Sequence, residues 1–132
     1  MNQRRTEALV DALINLLGSA SNPDGALHQI RNPIGLLSFS RPGKQELDSE
    51  GRRVFDSWLA GYKAATFDLD LNCKGGSRAG LKTDDKLSNL LGVFKVTEKL
   101  GQTQVVRYLR RALKDENISL NTPLSFFVEE EK

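Results

Sequence analysis

Side chains able to do chemistry are sparse in this sequence. It has one cysteine, Cys73, and one histidine, His28. A lone cysteine rules out an intramolecular disulfide. One of each also rules out zinc-finger and zinc-ribbon sites, which need several Cys or His ligands. One Cys–His pair stays open, Cys73 with His28, because Lys74 and the glycines after it could lower the thiol pKa. The plainer reading is a buried cysteine and an ordinary loop-flanking histidine. No carboxylate pair, nucleophile triad or metal cluster stands out, so no catalytic residue, metal or cofactor is assigned and an enzyme is not expected.

Long apolar runs are missing too. None approaches the roughly 18–20 residues needed to span a bilayer, so no membrane partner is expected. The opening "MNQRRTEALVDALINLLGSA" faintly resembles a secretory leader, with two arginines ahead of an apolar stretch. Glu7, Asp11 and Asn15 interrupt that stretch at helical spacing, as a leader's apolar region would not. The segment reads as an amphipathic helix of a cytoplasmic protein. Internal repeats and low-complexity blocks are also lacking.

What is present suits one globular domain. In 132 residues, 39% are hydrophobic and 27% charged, enough for a single core. Residues 3–17 put Ala8, Leu9, Ala12, Leu13, Leu16 and Leu17 on one stripe, and Gly18 is a natural stop. "SNPDGALHQIRNP" predicts a short helix with Pro23 in its first turn, ended by Asn32-Pro33. Ile34, Leu36, Leu37 and Phe39 follow in a segment too short to assign. From about 44 to 65, Leu47, Val54, Phe55, Trp58, Leu59, Tyr62 and Ala65 again follow helical spacing, with Gly51 a weak point.

Thr83-Asp84-Asp85 makes a good helix start, with Leu87, Leu90, Leu91 and Phe94 facing inward. A last helix over about 103–115 turns Val105, Val106, Leu109, Ala112 and Leu113 to the core. "LSFFVEE" then reads as a strand or extended tail pinned by Phe126 and Phe127. The expected fold is mainly α: a compact single domain over 1–132, a bundle of about five helices. It leaves room for a minor two-stranded β pairing of "FDLDL" (67–71) with "LSFFV" (124–128). An acidic tail occupies about 129–132.

The stretch "TFDLDLNCKGGSRAGLKTDDK", residues 66–86, most invites a chemical role. Asp68, Asp70 and Asn72 stand at the first, third and fifth places of an EF-hand loop. Cys73 replaces its turn glycine, and Ala79 replaces the glutamate that grips calcium with both oxygens. Calcium is therefore rejected. Gly75 and Gly80 have P-loop spacing, but Leu81 takes the place of the lysine and turns Lys82 by about 100° around a following helix. Nucleotide hydrolysis is not expected. A third role is a mobile turn whose amides and cations Lys74, Arg78 and Lys82 hold an anion.

Charge is the more informative signal. Residues 1–73 carry a net −1, residues 74–114 a net +7 and residues 115–132 a net −4. A concentrated basic segment is what a polyanion partner requires, although a solvated helix face would look the same. "LLGVFKVTEKLGQTQVVRYLRRALKDE" has helix-turn-helix rhythm: a helix ending "EKLG", a turn, then an arginine-bearing helix. Arg107, Arg110, Arg111 and Lys114 share much of its outer surface, 110 and 111 each standing three or four residues from 107 and 114. Gln102 stands where an apolar residue usually follows the turn glycine, so the motif is imperfect.

The leading expectation is a nucleic-acid-associated protein, DNA or RNA, gripping phosphates through residues 74–114. Arg107, Arg110 and Arg111 are its main contacts, with Lys114 on the same surface and Lys74, Arg78 and Lys82 assisting. The alternative is a protein-interaction adaptor or homodimer. Its apolar surface would be the N-terminal helix or the "IGLLSF" segment.

Overall fold

Three strongly patterned segments fold as helices that meet on the first of them. The computed structural model describes residues 4–18, 24–36, 47–49, 51–76 and 80–128. Among these residues the helices are α1 (Arg5–Leu17), α2 (Ala26–Gln29), α3 (Trp58–Lys74), α4 (Leu87–Val93) and α5 (Lys99–Leu113). A 3₁₀ turn, Leu124–Phe127, closes the fold. No sheet forms among the described residues; the only extended pairings are isolated bridges, Leu47 with Arg53 and Lys86 with Pro123.

α1 is the central element, packed on α3, on α5 and on the 3₁₀ turn. Its predicted stripe is buried at Ala8, Leu9, Ala12 and Leu13, but so are Thr6 and Val10. A helix covered from several sides buries more than one stripe. Gly18 ends it at φ +69°, donating its N–H to the Ile14 carbonyl. Such a left-handed stop is cheap only for glycine. The expectation for Pro23 lies outside the described residues; Gly25, not Pro23, immediately precedes α2.

The helix expected over 44–65 starts only at Trp58. Ser57 caps it, its hydroxyl accepting the Ala60 N–H at 3.1 Å. Upstream, Gly51 sits at φ +79° in a tight turn closed by Asp48, whose carboxylate accepts the Arg52 N–H at 2.8 Å and pairs with its guanidinium at 2.9 Å. Asn32 ties this region together while wholly buried. Its amide donates to the Leu36 and Arg53 carbonyls, and its oxygen accepts the Leu36 N–H. α3 passes so close to the turn after α2 that a Cβ on Gly61 would lie 2.0 Å from the Arg31 carbonyl oxygen.

"FDLDL" is not a strand. It continues α3, which buries Ala65, Leu69 and Cys73 at four-residue spacing and leaves Phe67 outside. The acids take helical partners as well: Asp70 pairs with Lys74 at 2.7 Å, and Asp68 accepts from the Asn72 amide at 3.1 Å. The proposed pairing with "LSFFV" is therefore corrected. That C-terminal segment coils into the 3₁₀ turn, and its backbone meets residues 83–85 instead. Leu124 N–H donates to the Asp85 carbonyl and Ser125 N–H to that of Thr83. Phe127 is fully buried, as expected of a pinned tail, while Phe126 is half-buried.

α4 begins at Leu87, after Lys86, whose backbone N–H donates to Asn89 Oδ1 at 2.9 Å. Leu87, Leu90 and Leu91 are buried and Phe94 half-buried. α5 starts at Lys99, earlier than expected, and buries Val105, Val106 and Leu109. "EKLG" is consequently the start of α5 and not the end of the helix before it. The real turn spans 94–98, where Lys95 adopts φ +62°. Because α5 packs mainly on α1, the helix-turn-helix reading is corrected both in its boundaries and in its packing.

Candidate nucleic-acid interface

With Val105, Val106 and Leu109 turned inward, the opposite side of α5 faces solvent. Gln104, Arg107, Arg111 and Lys114 are all exposed there, spaced by three or four residues. The row rises about 15 Å, the length of four to five base steps of ~3.4 Å. α5 contains no acidic residue. Among the described residues, none of Arg107, Arg111 and Lys114 has a carboxylate partner.

The cations at its C-terminal end have a second, local use. Arg110 and Arg111 lie in the last turn, where positive charge offsets the negative end of the helix dipole. Arg110 is also committed elsewhere: its Nε donates to the Ile118 carbonyl at 2.7 Å and holds the turn that leaves α5. Lys114 is the C-cap, in the left-handed region at φ +52°. Arg107, one turn further back, has neither duty.

At the glycine-rich corner, the Gly75 and Gly76 amides, both part of the anion cradle suggested by the sequence, have other partners. Gly75, at φ +83°, closes α3 and donates its N–H towards the Asn72 carbonyl, while Gly76 donates to that of Leu71. Those amides are spent on capping. They sit at a helix C-terminus, the end that repels anions. Lys74 is already paired with Asp70, and Lys82 is exposed beside Gly75, its backbone N–H bound to Asp85 at 2.7 Å. Arg78 lies outside the described residues. Of the predicted basic set, the structure aligns the α5 row on one face and leaves Lys74 and Lys82 on other elements.

The remaining candidates lose their chemistry. Cys73 is fully buried, and burial, aided by the Asp70 carboxylate, pushes its thiol up to about 12. His28 lies against Trp58 at the start of α3, with ring centroids 5.8 Å apart. Cys73 is about 22 Å further along that helix, so the Cys–His pair is corrected on distance alone. Among the described residues no group of three or more His, Cys, Asp or Glu side chains could hold a metal, and no helix is long and apolar enough to cross a membrane.

Two features escaped sequence reasoning. Tyr62 donates its hydroxyl to Asp11 at 2.9 Å, joining α3 to α1; burial and that carboxylate raise its pKa. An open groove of about 460 Å³ also runs between these helices, lined in part by Glu7, Leu59, Lys63, Phe67 and Asp70. The proposed apolar face on α1 is buried at Ala8, Leu9, Ala12 and Leu13, with Leu16 half-buried and Leu17 exposed at its end; Ile34 and Leu36 are buried, whereas 37–40 lie outside the described residues. The large exposed apolar side chains of α3 are Leu59 and Phe67, and a stripe drawn for one helix face placed Leu59 in the core. Comparison with protein-family models, with curated proteins and with solved structures finds no match to this chain.

Proposed function

We propose that this chain is a small, non-enzymatic, cytoplasmic protein that associates with nucleic acid by gripping phosphates along α5. One observation carries the reading: Arg107, exposed at mid-helix, continues a row with Arg111 and Lys114 on a face without acids. Its core-facing side is fixed, so the row is presented on a rigid element. The mechanism is electrostatic. Released counterions supply the driving force, and sequence is not read by these contacts.

The test is fluorescence anisotropy with labelled single- and double-stranded DNA and RNA at two salt concentrations. Binding should weaken steeply with salt. Arg107→Ala with Arg111→Ala should lower the salt slope by about 2, since each phosphate contact contributes about 0.9. Arg110 is left intact because its loss would disturb the turn at Ile118. No binding at low salt would remove nucleic acid as the partner. A second reading, association with a protein, is favoured by the 60% exposure of Leu59 on α3.

A further inference from the structure

We infer that the outer face of α3 binds a second copy of this chain, the two helices running antiparallel about a two-fold axis. Leu59, Lys63, Thr66, Phe67, Asp70 and Lys74 recur every three or four residues, apart from the adjacent pair Thr66 and Phe67, and so form one stripe along α3. Leu59 is 60% and Phe67 54% exposed, large apolar surfaces on a helix whose opposite face is already packed. α1 separates this stripe from α5, so self-association leaves the basic row open.

Charge selects both the occupant and its direction. On its own helix Lys63 has Leu59, Ala60, Thr66 and Phe67 one turn away, none of them acidic; Glu7 of α1 lines the same groove, yet among the described residues Lys63 has no ion pair. An axis between Thr66 and Phe67 sets Lys63 of one copy against Asp70 of the other, and Leu59 against the stem of Lys74. In an isologous pair each contact occurs twice. Asp70 keeps one carboxylate oxygen for this after Lys74 has taken the other. A parallel pairing would put Lys63 against Lys63 and Asp70 against Asp70. The groove beside α1 offers a recess for the second copy's apolar side chains.

This surface belongs to the second reading above, and its test is run without nucleic acid, so either reading can fail alone. The whole chain is studied by sedimentation velocity at tens of micromolar, with circular dichroism to verify helix content. Wild type should sediment as a dimer. Lys63→Glu and Asp70→Lys should each lose the dimer, because every junction then joins like charges. An equimolar mixture of the two variants should regain it, since every junction again pairs opposite charges. Leu59→Ser, which leaves all charges in place, should weaken association at least tenfold. Monomeric wild type, single variants that stay dimeric, or a mixture of folded variants that stays monomeric would each overturn the inference.

Discussion

Asp68 lies on α3 two residues before Asp70, yet the two carboxylates meet different surroundings. Asp70 has an ammonium partner in Lys74 at 2.7 Å. Asp68 is largely buried, and burial raises its carboxyl to about 6 despite the opposing pull of the Asn72 amide and of the Arg53 charge. Between roughly pH 4 and 6 the folded chain therefore holds a proton here that the unfolded chain has released. Stability must then fall as pH rises through this window. The contribution is fully present below the unfolded value and gone above about 6. Two pKa units correspond to under 3 kcal/mol, and partial solvent access reduces this to on the order of 1–2 kcal/mol. Urea unfolding of wild type and Asp68→Asn at pH 4 and pH 7 isolates it. The variant's oxygen can still accept from Asn72, and it should be relatively more stable at pH 7 than at pH 4. A difference between the two chains that does not change with pH would contradict the assignment.

Helices were legible where a single periodicity operated. The inner faces of α1 and α5 follow from the spacing of Leu9 and Leu13, and of Val105 and Leu109, because each helix has one long apolar side. α3 was harder. Phe67, Leu69 and Leu71 alternate with acids as a strand would, yet Ala65, Leu69 and Cys73 also stand four apart. The second period prevails because Ser57 starts a helix that meets no glycine or proline between Tyr62 and Lys74. Boundaries set by tertiary hydrogen bonds, such as those of the 3₁₀ turn, leave no local signal. The basic row on α5 could be read from spacing; the diversion of Arg110 to the Ile118 carbonyl could not. α5 also carries a separable prediction at Lys114. Its left-handed conformation costs a non-glycine residue about 1 kcal/mol, so Lys114→Gly should stabilise the fold by about that amount. If Lys114 grips a phosphate, the same change should lower the salt slope of nucleic-acid binding by about 1. A more stable protein that binds less well separates the two roles, and unchanged binding would remove Lys114 from the interface.

Across the molecule, the two ends of the described chain hold each other. Thr6 donates its hydroxyl to the Phe127 carbonyl at 3.1 Å, and Arg5 donates to that of Phe126 at 2.9 Å while its guanidinium lies 4.3 Å from the Phe126 ring centre. Phe127 itself is fully buried, and the 3₁₀ turn it belongs to packs on both α1 and α3. α1 in turn is the surface on which α3 and α5 assemble. The Phe127 side chain, next to the last described residue, is thereby part of the central packing. Phe127→Ala should cost about 3–5 kcal/mol, the usual loss for emptying a fully buried aromatic site. The loss should also be global. In native-state hydrogen exchange the amides of α1 and α5 should lose protection together and by the same free energy, since neither helix keeps its cover once the α1 packing loosens. Loss confined to residues 120–128, with α5 protected as before, would show the turn to be an accessory that docks after the helices have formed their own core.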